Sequence, residues 1–172
     1  MNKLFLYLKS WLAIKLLKIR NRPMDFVTYP DKRLRTPCEP VDFETSTYEE
    51  RSEIVRKMGN ALSSASYGGK LGLAANQIGI TKCVAIVQGA VMFNPTWQPA
   101  KQQFDYIVEG CYSIPNRQFK VKRDKYGWGT WYDIDGNKKS YKMKGLSAIV
   151  FQHEVDHLNG ICCCEKGEEV HG

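Results

Sequence analysis

The 172-residue sequence predicts an α+β fold in which antiparallel sheets wrap around a buried C-terminal helix. Three observations carry that expectation. A capped helical pattern opens near residue 46. Short runs rich in β-branched and aromatic residues fill residues 83–144. A second, strongly apolar helical pattern, "GLSAIVFQHEVDHLNG", follows at 145–160.

Taken in order, "YPDKRLRTPCEPVDF" (29–43) is proline-rich and reads as extended chain and turns. The first helix starts at a capping box, either Ser46 with Glu49 or Thr47 with Glu50. Ile54, Met58, Ala61, Leu62 and Ala65 share one of its faces, and Tyr67-Gly68-Gly69 ends it. "LGLAANQIG" (71–79) by itself is a Gly/Ala-rich packing turn. Strand-like runs follow at 83–87, 91–95, 105–113 and 118–123. Residues 129–145 read as a hairpin turning at Asp135-Gly136. The last helix stops near Asn159-Gly160, and a polar tail follows.

Length and composition, with 43% apolar and 25% charged residues, suit one soluble globular domain. The net charge of +7 is localised. Six of the 25 basic residues lie in 1–23, where there is no acid, leaving 19 basic against 18 acidic residues. That balance argues against a nucleic-acid face on the body, and Trp97, Trp128 and Trp131 read as core or surface aromatics. Lys9 and Lys15 interrupt the leader, so it fits neither a secretory signal nor a spanning helix. It remains a membrane-surface anchor, an organelle-targeting segment or a dispensable appendage. Residues 1–23 are therefore set apart from a single domain over 24–172, with Met24 a candidate start. Six cysteines, three of them adjacent (Cys162, Cys163, Cys164), lack the spacing of a disulfide scaffold and point to a reducing compartment.

Chemistry concentrates in the last helix. His153 and His157 are four residues apart, so both imidazoles face the same way and can hold one cation. Glu154 lies beside the first of them. The alternative is an exposed charged helix face. The preceding Ala148-Ile149-Val150-Phe151 disfavours it, because buried histidines and a buried glutamate need partners. A catalytic site needs a third protein ligand and an open position. Glu165, Glu168 and Glu169 lie in the polar tail, Cys163 has the spacing of a HExxHxxGxxH pattern, and Cys111 lies upstream in "EGCYSIP". The residues alone leave these open.

Together and in this order, "LGLAANQ", "EGCYS" and "QHEVDH" resemble the peptide deformylase family, whose marks are GΦGΦAAxQ, EGCΦS and HExxDH (Φ, apolar). The resemblance covers roughly residues 24–161. Lys70 replaces the first glycine of the first mark, Asn76 precedes its glutamine, and Tyr112 is the apolar position of the second. The long C-terminal helix of many bacterial members is missing, as in short phage-encoded members.

The resemblance implies that Cys111, His153 and His157 hold one divalent metal ion, ferrous iron in the cell, with zinc, nickel or cobalt accepted on purification. It implies that Glu154 shuttles the proton, and that the Gln77 side-chain amide and the Tyr112 backbone N–H stabilise the oxyanion. By position, Leu71, Ile107, Leu146, Ile149 and Val150 line a slot for the first side chain. Glu109 is nearby and Lys70 forms a wall, although each apolar residue reads equally well as core. Gly72 and Gly110 would let the substrate backbone pair. The implied substrate is the formyl-methionyl end of a nascent peptide, with the ribosome as a further candidate partner, no specific nucleic acid, and a monomer in the cytoplasm of a bacterium or phage-infected host. An organelle is the alternative location. Two other functions are kept: a HExxH metallopeptidase with Cys163 as third ligand, and an inactive deformylase-like binding module.

Overall fold

The computed structural model describes residues 26–65, 71–100 and 102–171. The leader, Lys70 and the expected helix stop at 67–69 lie outside these described residues. Helix α1 spans Tyr48–Ser64. Of the two capping boxes, the Thr47 pair forms. The Glu50 N–H donates to Thr47 Oγ1 at 3.2 Å, and the Thr47 N–H donates to Glu50 Oε2 at 2.8 Å. Two orphan amides at the helix start are thereby satisfied. The face carrying Val55, Met58 and Ala61, with Ile54 and Leu62 at its margin, packs on Leu73, Ile78, Val84, Ile86 and Phe93.

Eight strands follow in chain order. They are β1 Gly72–Ala74, β2 Val84–Val87, β3 Ala90–Pro99, β4 Phe104–Cys111, β5 Ile114–Asp124, β6 Tyr126–Tyr132, β7 Lys138–Lys144 and β8 Glu168–Val170. Helix α2, Leu146–Leu158, and the short α3, Cys163–Lys166, stand between β7 and β8. A five-stranded sheet has the order β1-β2-β3-β6-β7 and a three-stranded sheet the order β4-β5-β8, with all strand pairs antiparallel. Gly136, with φ +83°, turns the β6–β7 hairpin, and Asp133 Oδ1 accepts the Asp135 and Asn137 N–H groups.

Two local expectations are corrected. Residues 71–79 are more than a turn: β1 pairs with β2 from Gly72↔Val87 to Ala74↔Ala85, and a 3-10 turn follows over Ala75–Ile78. The small side chains let β1 lie in the core beside the apolar β2. The residues after 161 are more than a tail. Cys162 and Cys163 are buried with Leu34, Phe119 and Val121, and β8 then adds to β5, with Arg117 paired to Glu169 at 2.7 Å. Both outcomes depend on partners far away in sequence, which local polarity does not register.

Helix α2 packs against strands of both sheets. Its buried residues, Ala148, Val150, Phe151, Gln152, Glu154, His157 and Leu158, go most of the way round, as in a core helix. Phe151 anchors it between Trp97 and Trp131, with ring centroids 5.8 and 6.1 Å away. At its end the Ile161 N–H donates to Asp156 O at 2.9 Å and the Gly160 N–H to His157 O at 3.0 Å, a Schellman motif. Gly160 has φ +75°, and a Cβ there would lie 2.8 Å from the Arg35 carbonyl carbon and 2.9 Å from that of Thr36. Gly160→Ala should therefore lose about 1–3 kcal/mol of stability. A urea midpoint equal to that of the unchanged protein would show that the backbone here yields freely.

Candidate active site

Three segments meet at α2. Its imidazoles project toward the end of β4, where the register of the β4–β5 pair shifts between Gly110 and Cys111. Cys111 Sγ lies 3.1 Å from His157 Nε2, which lies 3.2 Å from His153 Nε2. Among the described residues, these three donors form a group that could hold a metal ion, with all ligand atoms within 4.8 Å of one another.

The donors fit a divalent ion. Burial and the neighbouring His153 charge hold His157 well below the usual imidazole pKa, so it stays neutral and its lone pair is available. For His153, burial opposes charging. The hydrogen bond to Glu109, with the charges of Glu154 and Glu109, outweighs it and pushes the imidazole up to about 9. His153 Nδ1 is 3.1 Å from Glu109 Oε1, which leaves Nε2 facing His157 and Cys111. A carboxylate behind the outer nitrogen is a common way to orient a metal-binding histidine. The Cys111 thiol is raised by its hydrogen bond to Cys163 and by burial. A bound cation would reverse that preference, because a coordinating thiol ionises.

Glu109, expected near the substrate slot, is held in a buried ion-pair group behind His153. Its two oxygens accept from Arg123 at 2.5 and 3.1 Å, and Arg123 also pairs with Asp156. Burial opposes ionisation of Glu109, but the His153 and Arg123 hydrogen bonds hold its carboxyl down to about 2. Arg123 is itself 2% exposed, and the sequence reading missed it. A signal was present. Period-two alternation along β5 puts Arg123 on the inward face with Phe119 and Val121, and an inward arginine requires buried acids.

Gln77 is 1% exposed. The Ala74 N–H donates to its Oε1 at 2.9 Å, which orients the amide so that Nε2 lies 3.4 Å from both Cys111 Sγ and Ser113 Oγ. Glu154 is buried, and its Oε2 has no hydrogen-bond partner. Burial raises its carboxyl to about 7. A polar group left unpaired inside a protein calls for a water, ion or ligand beside it. Gly72 makes room for this carboxylate: a Cβ at Gly72 would sit 2.2 Å from Glu154 Oε1 and 2.8 Å from Val150 Cγ1.

The remaining expected residues divide. Tyr112 stacks on Phe26 with centroids 5.0 Å apart. Leu71 and Leu146 are exposed, and Ile107 and Ile149 are half-buried. Val150 is a core residue packed with Val87, Met92, Trp131 and Phe151. Gly110 is exposed on β4. Cys163 is buried in the cluster against which Cys111 packs, without joining the three-donor group.

A model of the family described as polypeptide deformylase matches residues 23–171. A peptide deformylase of Microchaete diplosiphon is 30% identical over 166 residues, which is 91% of this chain and 86% of that protein. Among solved structures, a Plasmodium falciparum peptide deformylase in complex with an inhibitor superposes with a TM-score of 0.75 at 31% identity, covering 83% of this chain and 88% of that one. A Synechococcus elongatus peptide deformylase in complex with actinonin gives 0.76 at 29% identity, covering 88% and 82%. With matching sequence segments, a matching fold and a convergent Cys-His-His group at the expected positions, the chain belongs to the polypeptide deformylase family.

Proposed function

We infer that this chain is a metal-dependent hydrolase that removes the formyl group from the N-terminal formyl-methionine of newly made polypeptides, releasing formate. The observation that carries the reading is the meeting of two imidazoles and a thiol beside a buried carboxylate and a buried amide. A divalent ion held by Cys111, His153 and His157 would supply a Lewis acid and an ionised water near neutral pH. Ferrous iron is the proposed ion in the cell, and zinc, nickel or cobalt suit the same donors.

Glu154 is the proposed base. A carboxyl raised to about 7 by burial can take a proton from water and return it to the departing amine near neutral pH. The Gln77 amide, fixed through Ala74, is the proposed donor to the formyl oxygen as negative charge develops, with the Tyr112 backbone N–H as the second donor. The substrate backbone would run along the outer edges of β1 at Gly72 and of β4 at Gly110, each the first strand of its sheet. Leu71, Ile107, Leu146 and Ile149 would take the methionine side chain over Val150. Glu109 would act through His153 rather than on substrate. The metallopeptidase reading is disfavoured because Cys163 lies outside the three-donor group. Residues 24–172 are the proposed catalytic domain, with residues 1–23 unnecessary for the chemistry. We place the enzyme as a monomer in the cytoplasm, acting on chains at the ribosome.

The direct test is anaerobic formate release from formyl-Met-Ala-Ser, with bound metal measured on the same sample. Acetyl-Met-Ala-Ser should react at least about fivefold more slowly, because one extra methyl in a tight site costs about 1–3 kcal/mol. Comparable rates on the two peptides would reject the reading.

Glu154→Gln should retain its metal and lose kcat by a factor on the order of 100 or more. A near-normal kcat would place the base elsewhere. Cys111→Ala should lose bound metal on dialysis while Cys163→Ala keeps it. The reverse result would restore Cys163 as the third ligand.

A further inference from the structure

The near-neutral balance of residues 24–172 conceals a separation that only the structure shows. Strands β3, β6 and β7 lie side by side and contain four lysines and no aspartate or glutamate. Along β6 the glycines turn inward. A Cβ at Gly127 would lie 2.5 Å from Trp97 Cζ2, and one at Gly129 would lie 2.9 Å from Met143 Cε. Tyr126, Trp128 and Thr130 alternate with them and so face the other way. Register sets Lys144, Lys142 and Ser140 beside them on β7. Trp128 is 46% exposed, and Lys142 Nζ lies 5.9 Å from the centroid of the Tyr126 ring. Lys139 pairs with Asp133 at 3.1 Å, whereas Lys142 and Lys144 have no acidic partner among the described residues. Lysines on the edge strand β7 guard an open edge. That role does not call for an exposed indole on the interior strand β6. Lysines also cover rings on the three-stranded sheet, with Lys122 Nζ 3.6 Å from the Phe104 centroid, but there Glu168 stands in register with Lys120.

We propose that this β6–β7 face binds single-stranded RNA without reading its sequence, with Trp128 and Tyr126 stacking on unpaired bases and Lys142 and Lys144 on the phosphates. Charge complementarity carries the choice of a polyanion, because the face offers ammonium groups and no carboxylate to repel one. The interleaved rings select unpaired bases, which are free to stack on them. Thr130 and Ser140, with hydroxyls 3.1 Å apart, lie next to Trp128 and Lys142 and can bond a ribose 2′-hydroxyl, which DNA lacks. The choice of RNA also rests on the proposed action on nascent chains, which emerge beside RNA. A lipid surface fits less well, because hydroxyls and ammonium groups interrupt the rings and leave no continuous apolar face.

The test titrates the full-length protein with a short labelled oligouridine, followed by anisotropy and by tryptophan quenching over a series of salt concentrations. Oligodeoxyuridine of the same length and phosphatidylglycerol vesicles serve as competing partners. Trp128→Ala should weaken RNA binding at least about fivefold and remove most of the quenching, while Trp128→Phe keeps most of the affinity. Replacing Lys142 and Lys144 together by glutamine should make the slope of log affinity against log salt shallower by about 1.4, the share of two phosphate contacts on a single strand. Oligouridine should bind more tightly than its deoxy counterpart. Formate release from formyl-Met-Ala-Ser should be unchanged in every variant, since none of these residues belongs to the proposed active site. That assay involves no RNA, so it judges the catalytic reading separately. Should Trp128→Ala lose it through misfolding, Trp128→Phe and the lysine pair carry the test. Unchanged affinity and slope in the variants would place any RNA contact elsewhere, such as the basic leader, and overturn the proposal. Equal affinity for the two oligonucleotides would overturn the choice of RNA. Binding to the vesicles through Trp128, with none to RNA, would make the face a lipid surface and overturn it as well.

Discussion

Burying Glu154 and His157, with His153 and Asp156 half-buried beside them, on one 13-residue helix is the constraint that the rest of the structure answers. A charge taken out of water without a partner is too costly to keep, so each of these groups must be paired, neutral or facing a ligand. Arg123 neutralises Glu109 and Asp156 together, and Glu109 in turn charges and orients His153. Lys166 reaches Asp156 from α3 at 2.7 Å. His157 stays neutral. Glu154 is the group left with an unpaired buried oxygen, and it is the one proposed to move a proton. Removing one partner of such a buried set typically costs about 3–5 kcal/mol, because the other charge is stranded. The same contacts thus serve stability and site geometry.

The sheets and the extended N-terminal stretch supply the precision. The Val27 N–H donates to Gln77 O at 2.8 Å and the Tyr29 N–H to Ser113 O at 2.9 Å, so one short segment ties the glutamine turn to the cysteine turn. Asn76 Nδ2 donates to His157 O at 2.6 Å, and the Cys38 N–H to Leu158 O at 2.8 Å, tying α2 into the same frame. Gly72 then brings the β1 backbone over Glu154 at a distance no larger residue could share. Catalytic groups held by strands, a helix and backbone hydrogen bonds keep their geometry better than groups on free loops.

Much of the fold was legible because its signals are local. The Thr47–Glu50 capping box, the Asp135-Gly136 turn and the Gly160 stop each depend on residues within a few positions of one another. The apolar run before His153 announced a buried helix. Residues 71–79 and 162–170 were less legible. Their strands exist through pairing with β2 and β5, so short, small or polar segments gave no periodic pattern to read. Lys70 and the leader lie outside the described residues and add nothing to either side.

By itself the sequence determined what local spacing can determine: two imidazoles one turn apart with a glutamate between them, and three segments in an order that matches a known family. Apart from the resemblance, the residues left the third donor open, and the tertiary structure brought Cys111 to the imidazoles from β4 while Cys163 stays in the core cluster. Only the tertiary structure made Glu109 the partner of Arg123 and His153. The physical reason is common to both. Helical spacing is set by the backbone of one segment, whereas convergence across 40 or more positions is set by strand register and packing, which no local pattern encodes.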